Sequence, residues 1–360
     1  MDPQQILQFP HSSAPAAGTS LEIVPGVRWL RMPLPFALDH INLWLLEDGP
    51  GWTIVDCGIG TDVTRDLWDQ TFAAHPGGEA PARTPAFQAT RVLVTHYHPD
   101  HAGLAHWLCQ RFGVRLWMSQ AEYLTAHSIR EGVAGYTPDN LLGMYRRNGL
   151  ADEGLKKMSA RGNRYRQAVP DFPHSYHRIM DGDEVRIGGR GWRVVMGYGH
   201  APEHAALYCP ELGVLISGDM VLPKISTNIS VSSIDPDGNP LKQFLESLKR
   251  YAGLPGDTLV LPSHGLPFRG LRERVEQLEE HHLQQLRQLH EACEQPLSAF
   301  DAIATLFQRD LDTQQLFFAM GEAMAHLHYL YYDGSLERRT GADGVIRYLQ
   351  GTAYPIGVAT

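Results

Sequence analysis

Residues 94–103 read VTHYHPDHAG and place His96, His98, Asp100 and His101 within six positions. They close an apolar run, ATRVLVTH, whose branched residues mark a buried strand. Alternate side chains of an extended segment point the same way, so His96 and His98 can reach one ion. Asp100 and His101 lie beyond the stiff turn at Pro99 and can face a second. Imidazole and carboxylate at this density suit zinc, and iron or manganese is also admitted. A lone His-x-His pair would carry little weight, because exposed loops hold such pairs by chance.

Two ions need more ligands, and each of three further candidates ends an apolar strand. They are His200 in MGYGHAPEH, Asp219 in LISGDM and His264 in VLPSHG. H-x-H-x-D-H, then Gly-His, then a strand ending in Ser-Gly-Asp, then a strand ending in His resembles the metallo-β-lactamase superfamily over about 21–270. The resemblance implies an α/β fold, a four-layer αββα sandwich with the metals at one edge of two sheets. It implies that His96, His98 and His200 hold one ion, that Asp100, His101 and His264 hold the second, and that Asp219 bridges them. Asp56 in IVDCG matches an aspartate that supports such a site, and His204 matches a second histidine that packs around the ligands. Two-zinc enzymes that destroy antibiotics usually carry cysteine at the position of Asp219. The aspartate here resembles the hydroxyacylglutathione-hydrolase, lactonase and nuclease branches instead. The inserted motifs of the tRNA-processing nucleases are not evident.

The chain has 360 residues, 43% hydrophobic and 20% charged, enough for a large domain and a small one. A net charge of -9 disfavours a general nucleic-acid binder. The four cysteines are widely spaced and form no C-x-x-C pair, which reads as reduced packing thiols. No basic leader with an apolar core and no membrane-length apolar run is present, so the expected location is cytoplasmic, with no membrane partner.

Residues 1–20 read as a flexible leader and 21–270 as the catalytic domain. PGGEAPARTPA, residues 76–86, reads as a loop. The strand rhythm breaks over 120–180, an insertion expected to fold over the metals as a helical lid. From Leu271 the pattern turns helical, with Ser298 as an N-cap for the second of three helices, and ends in two short strands. This predicts a small winged-helix-like domain over 271–360. Its third helix holds no lysine or arginine, so packing, homodimerisation or pocket closing fits it better than nucleic-acid reading.

The segment 144–178 carries eight lysines and arginines against three acids, an excess of five positive charges. Tyr145, Arg146, Arg147, Arg164 and Tyr165 are its candidate substrate contacts, suited to an anionic substrate with a ring, a small molecule such as a coenzyme A thioester or, less well, a nucleic acid. A solvated helical face explains the same charge equally well. The predicted activity is that of a dinuclear hydrolase. Metal coordination lowers the pKa of water from about 15.7 to about 7, so a bridging hydroxide serves as nucleophile. Asp219 and Asp100 take catalytic parts, Asp100 moving a proton to the leaving group. The expected substrate is a thioester or lactone, as in hydroxyacylglutathione hydrolase. The alternatives are a metal-dependent ribonuclease or phosphodiesterase, and a binding protein without turnover on the same fold.

Overall fold

The computed structural model describes residues 7–74, 87–133, 135–160 and 162–351; the loop expected at 76–86 lies outside them. Seven strands form the first sheet in sequence order: β1 (Ser20–Val24), β2 (Val27–Pro33), β3 (His40–Asp48), β4 (Gly51–Val55), β5 (Ala89–Leu93), β6 (Leu116–Met118) and β7 (Tyr176–Arg178). Pairing is antiparallel up to β4 and parallel from β4 to β7. The second sheet holds β8 (Glu184–Ile187), β9 (Arg190–Gly197), β10 (His204–Cys209), β11 (Val214–Gly218) and β12 (Leu259–Pro262), in the order β12-β11-β10-β9-β8. A separate hairpin, β13 (Leu336–Thr340) with β14 (Ile346–Gln350), lies near the C-terminus.

The helices are α1 (Asp62–Ala74), α2 (Pro99–Ala102), α3 (Ala105–Phe112), α4 (Gln120–Glu131), α5 (Pro138–Arg147), α6 (Asp152–Ser159), α7 (Arg164–Ala168), α8 (Pro240–Ala252), α9 (Leu271–Ala292), α10 (Ala299–Leu306) and α11 (Thr313–Tyr332). None of them is long and apolar enough to cross a membrane.

Strand alternation sorts the apolar side chains into layers. Trp44 and Leu46 of β3 face the middle with Trp29, Val194, Leu207, Ile216 and Leu261. Ile41, Leu43 and Leu45 of the same strand face outward with Trp68, Leu108 and Tyr123. On the far side Val195, Ala206, Leu215 and Val260 pack with Phe244 of α8 and Leu278 of α9. Two sheets thus bury a shared middle layer, and each buries its other face under helices, giving the αββα sandwich.

Two expectations change. From Leu7 the leader is not loose. Leu7 is 6% exposed, and Gln8 and Arg269 exchange backbone hydrogen bonds of 3.1 and 2.8 Å. The apolar side chains at Leu7 and Phe9 pack onto the same cluster as the second sheet and its helices, which holds that end of the chain down.

The 120–180 insertion does not form one lid. Tyr123, Ala126, Val169 and Phe172, from α4 and the segment after α7, pack on the first sheet's outer cluster. Met144, Tyr145, Leu150, Leu155 and Met158, from α5, α6 and the link between them, pack with α10 and α11. The amide of Phe300 donates to the carbonyl of Asn148 at 3.0 Å, fastening that hairpin to the C-terminal helices. The apolar stripe of each helix, rather than its charge, decides where it docks.

Candidate metal centre

Each candidate ligand follows the end of a buried strand, so a rigid sheet edge sets its position. His96 and His98 come just after β5, and α2 begins at Pro99 and carries Asp100 and His101. His200 lies between β9 and β10, Asp219 follows β11, and His264 follows β12. All seven converge. His96, His98, His200 and Asp219 bring their ligand atoms within 4.8 Å of one another, and so do Asp100, His101 and His264.

The Asp219 carboxylate stands between the two groups. Its Oδ2 lies 4.0 Å from His96 Nε2 and 3.4 Å from His200 Nε2. Its Oδ1 lies 3.5 Å from His101 Nε2 and 3.4 Å from His264 Nε2. Asp100 Oδ2 closes the second group, 3.4 Å from His264 Nε2 and 3.7 Å from His101 Nε2. His101 Nε2 and Asp219 Oδ1 are buried with no hydrogen-bond partner, a costly arrangement that a cation between them would relieve. Nitrogen lone pairs and carboxylate oxygens facing inward fit divalent first-row metals.

In three of the histidines Nδ1 is held so that Nε2 faces the cluster, whereas His98 turns Nδ1 inward, 2.9 Å from His96 Nε2. His101 Nδ1–H donates to Asp56 Oδ2 at 2.8 Å. His200 Nδ1–H donates to the carbonyl of Asn228 at 2.8 Å, and His264 Nδ1–H to the carbonyl of His40 at 2.7 Å. Such partners fix the tautomer that leaves a lone pair for a metal. Asp56 takes its place at φ 62, the one non-glycine residue at positive φ among those described. It also accepts from the Thr95 amide at 2.8 Å and from Thr95 Oγ1. Strain of this kind persists where the surroundings demand it.

His204 holds the Asp219 backbone, its Nε2 accepting the N–H of Asp219 at 3.1 Å. The ring fills the space beside Gly218, where a Cβ would lie 2.2 Å from Nε2. Thr227 Oγ1 donates to the Asp219 carbonyl.

Charge inside the cluster is strongly perturbed. Burial and the neighbouring imidazoles push His96 well down, and burial takes His98 down to about 3. Burial opposes protonation of His264 as well, but the Asp219 and Asp100 carboxylates hold it up at about 10. Crowded imidazoles that resist protons, beside carboxylates that attract them, favour a bound cation over bound protons.

Of the five expected substrate contacts, Arg146, Arg147 and Arg164 are exposed. Tyr145 is 2% exposed, packs in the apolar cluster with α11 and donates its hydroxyl to the Phe317 carbonyl at 3.0 Å. It is a core residue and not a free substrate contact. The Tyr165 hydroxyl is also spoken for, donating at 2.6 Å to the carbonyl of Tyr97 between the candidate ligands His96 and His98. It anchors α7 beside the loop that carries them. Arg164, next to it, reaches Gln314 of α11 at 3.4 Å.

Sequence reasoning missed Glu122. It is fully buried and accepts the N–H of Tyr97 at 2.8 Å and of Glu203 at 2.6 Å, joining the loops that carry His98 and His200. Burial drives its carboxyl up to about 8 against those two donors. The S-x-x-E pattern from Ser119 signalled a helix start and gave no sign of the partners the glutamate finds.

A model of the Metallo-beta-lactamase superfamily matches residues 37–264, and one described as Metallo-beta-lactamase-like, C-terminal domain matches 286–351. A crystal structure of a Beta-lactamase domain protein from Burkholderia ambifaria is 48% identical. It superposes with a TM-score of 0.89, covering 98% of this chain and 100% of that one. "Probable metallo-hydrolase YqjP" of Bacillus subtilis is 25% identical, over 84% of this chain and 91% of its own. A Hydroxyacylglutathione hydrolase of Chromohalobacter salexigens is 25% identical, over 58% of this chain and 63% of its own.

Proposed function

The chain belongs to the metallo-beta-lactamase superfamily, and from that premise we propose that it is a hydrolase with two divalent metal ions, zinc first among them, acting on thioesters. The observation that carries this reading is the Asp219 carboxylate, one oxygen turned to each trio of ligands. In the proposal His96, His98 and His200 hold the first ion, Asp100, His101 and His264 the second, and Asp219 both. Two divalent ions held there would acidify a water at neutral pH and polarise an acyl oxygen.

The chain's own residues do the rest. Asp56, Asn228 and His40 orient the histidines, and His204 with Thr227 fixes the bridge. Asp100, at the second trio, is positioned to move a proton to the leaving group. Arg164 is exposed on α7, whose Tyr165 is anchored to the metal loop, and is the best-placed of the expected cations for an anionic carrier. A thioester fits better than RNA because α11 offers no lysine or arginine to phosphates and two relatives bear the name hydroxyacylglutathione hydrolase. The C-terminal unit, three helices and a hairpin, is a small winged-helix-like domain beside the catalytic one. A cytoplasmic location accords with four free, buried thiols.

The test is hydrolysis of a panel of acyl-coenzyme A, acyl-glutathione and lactone substrates against single-stranded RNA. Turnover of a thioester with RNA left intact is expected. Cleavage of RNA alone would replace the proposal with a phosphodiesterase, and no turnover of any member by metal-loaded protein would favour a binding role.

A further inference from the structure

We propose that Glu322, on α11 of the C-terminal unit, is a positioning residue for His200, so that the C-terminal unit completes the first metal trio. The inference rests on the two-metal reading above and adds a component that lies outside the sandwich.

The path is short. Asn228 presents its backbone carbonyl to His200 Nδ1–H at 2.8 Å. A carbonyl on a loop aims well only if the loop is held, and this loop is held from α11. The Asn228 side-chain amide donates to Glu322 Oε2 at 3.1 Å, and its oxygen accepts from Ser230 Oγ at 2.8 Å. Three residues on from Asn228, the amide of Val231 donates to the carbonyl of Gly321 at 3.2 Å.

Gly321 explains how the loop comes so near. A Cβ there would lie 2.5 Å from Ser230 Oγ and 2.6 Å from Ser230 Cβ. A mid-helix glycine is destabilising relative to alanine. Here its lack of a side chain opens the room in which loop and helix meet. Glu322 is 7% exposed, and Asn228 is the side chain that meets its carboxylate. A buried carboxylate without such a donor would be expensive. Each therefore needs the other, and the pair fixes the peptide that sets the His200 tautomer.

The histidine partners of the other trio come from the sandwich itself, Asp56 after β4 and His40 in β3. Loosening Glu322 should therefore weaken one ion and spare the other, which a general loss of stability would not do.

The experiment is a cobalt(II) titration of the metal-free full-length protein, read by visible absorption with a competing chelator, beside thermal melting. Wild type should bind two ions. Glu322→Ala should keep its fold and one ion at wild-type affinity and bind the other about 10- to 100-fold more weakly. Glu322→Gln, which retains an acceptor for the Asn228 amide, should restore it. Should Glu322→Ala fail to fold, Asn228→Ala decides, because it keeps the carbonyl and removes the tie. The same selective loss supports the proposal. Two ions bound at wild-type affinity by either folded alanine variant would overturn it, as would equal weakening of both. A wild-type chain that takes up no cobalt would end the two-metal reading itself, and this inference with it.

Discussion

Replacing Asp56 with asparagine removes one charge and almost no volume, yet it should cripple the second ion. Asp56 Oδ1 accepts the Thr95 N–H at 2.8 Å and Oδ2 accepts His101 Nδ1–H at 2.8 Å, with Thr95 Oγ1 reaching both oxygens. An asparagine offers one oxygen and one NH2. Turned toward His101, the NH2 meets another N–H, and the ring must move its proton to Nε2, the atom aimed at Asp219 Oδ1. Turned toward Thr95, it meets the peptide N–H. The first orientation removes the lone pair that Nε2 would offer an ion, and the second leaves a buried donor unsatisfied, at a cost of about 1–3 kcal/mol, roughly 5- to 150-fold in an equilibrium. The left-handed backbone at φ 62 does not confound the test, since asparagine tolerates that region as well as aspartate. The assay is chelator competition for both ions beside kcat/KM on the best thioester. The ion held with His101 should bind about 10- to 100-fold more weakly. Unchanged affinity for both ions would refute the reasoning that Asp56 sets the His101 tautomer.

Gly218→Ala would put a Cβ 2.2 Å from His204 Nε2 at φ +54, straining the backbone and displacing the ring that holds the Asp219 amide. The metal-free protein should lose on the order of 2–5 kcal/mol in denaturant melts, and a wild-type midpoint would contradict this packing. Glu122, raised by burial from 4.5 to about 8, binds its proton more tightly folded than unfolded. Its contribution is therefore full below about pH 4.5 and lost as pH rises through 8. Metal-free wild type should lose stability across that window, and Glu122→Gln should flatten the slope; equal slopes would put Glu122 ionised in the fold. The four cysteines are free and buried, and burial pushes Cys109 and Cys293 up to about 12. A thiol reagent should label none of them in native protein and all four after unfolding.

The strand ends were legible because ligand chemistry and strand chemistry share the same few residues. An apolar run that stops on histidine or aspartate marks both the sheet edge and the site, as at His200, Asp219 and His264. The Ser298 cap was readable for a similar local reason, and its capping box with Asp301 is present. Elements without a strong local signature were missed. Strand β7 is three residues long with mostly exposed side chains. Helix α8 carried usable signals, an Asn239 cap and Pro240 in the first turn, that went unread. The lid expectation fails because an insertion's place in the chain is visible in sequence while its docking partners are not. Tyr145 reads as an interleaved aromatic until α11 is seen lying over it. Glu122, Asn228 and Glu322 were out of reach for a deeper reason. Each acts through backbone groups or through residues distant in the chain, and no spacing encodes that.

The most direct test is the metal content of the purified protein by elemental analysis, taken with hydrolysis of the thioester panel before and after chelation. About two divalent ions per chain are expected, with activity lost on stripping and recovered on adding metal back, and neither ions nor activity at wild-type level in His96→Ala. Full turnover by protein shown to be metal-free would contradict the two-metal reading.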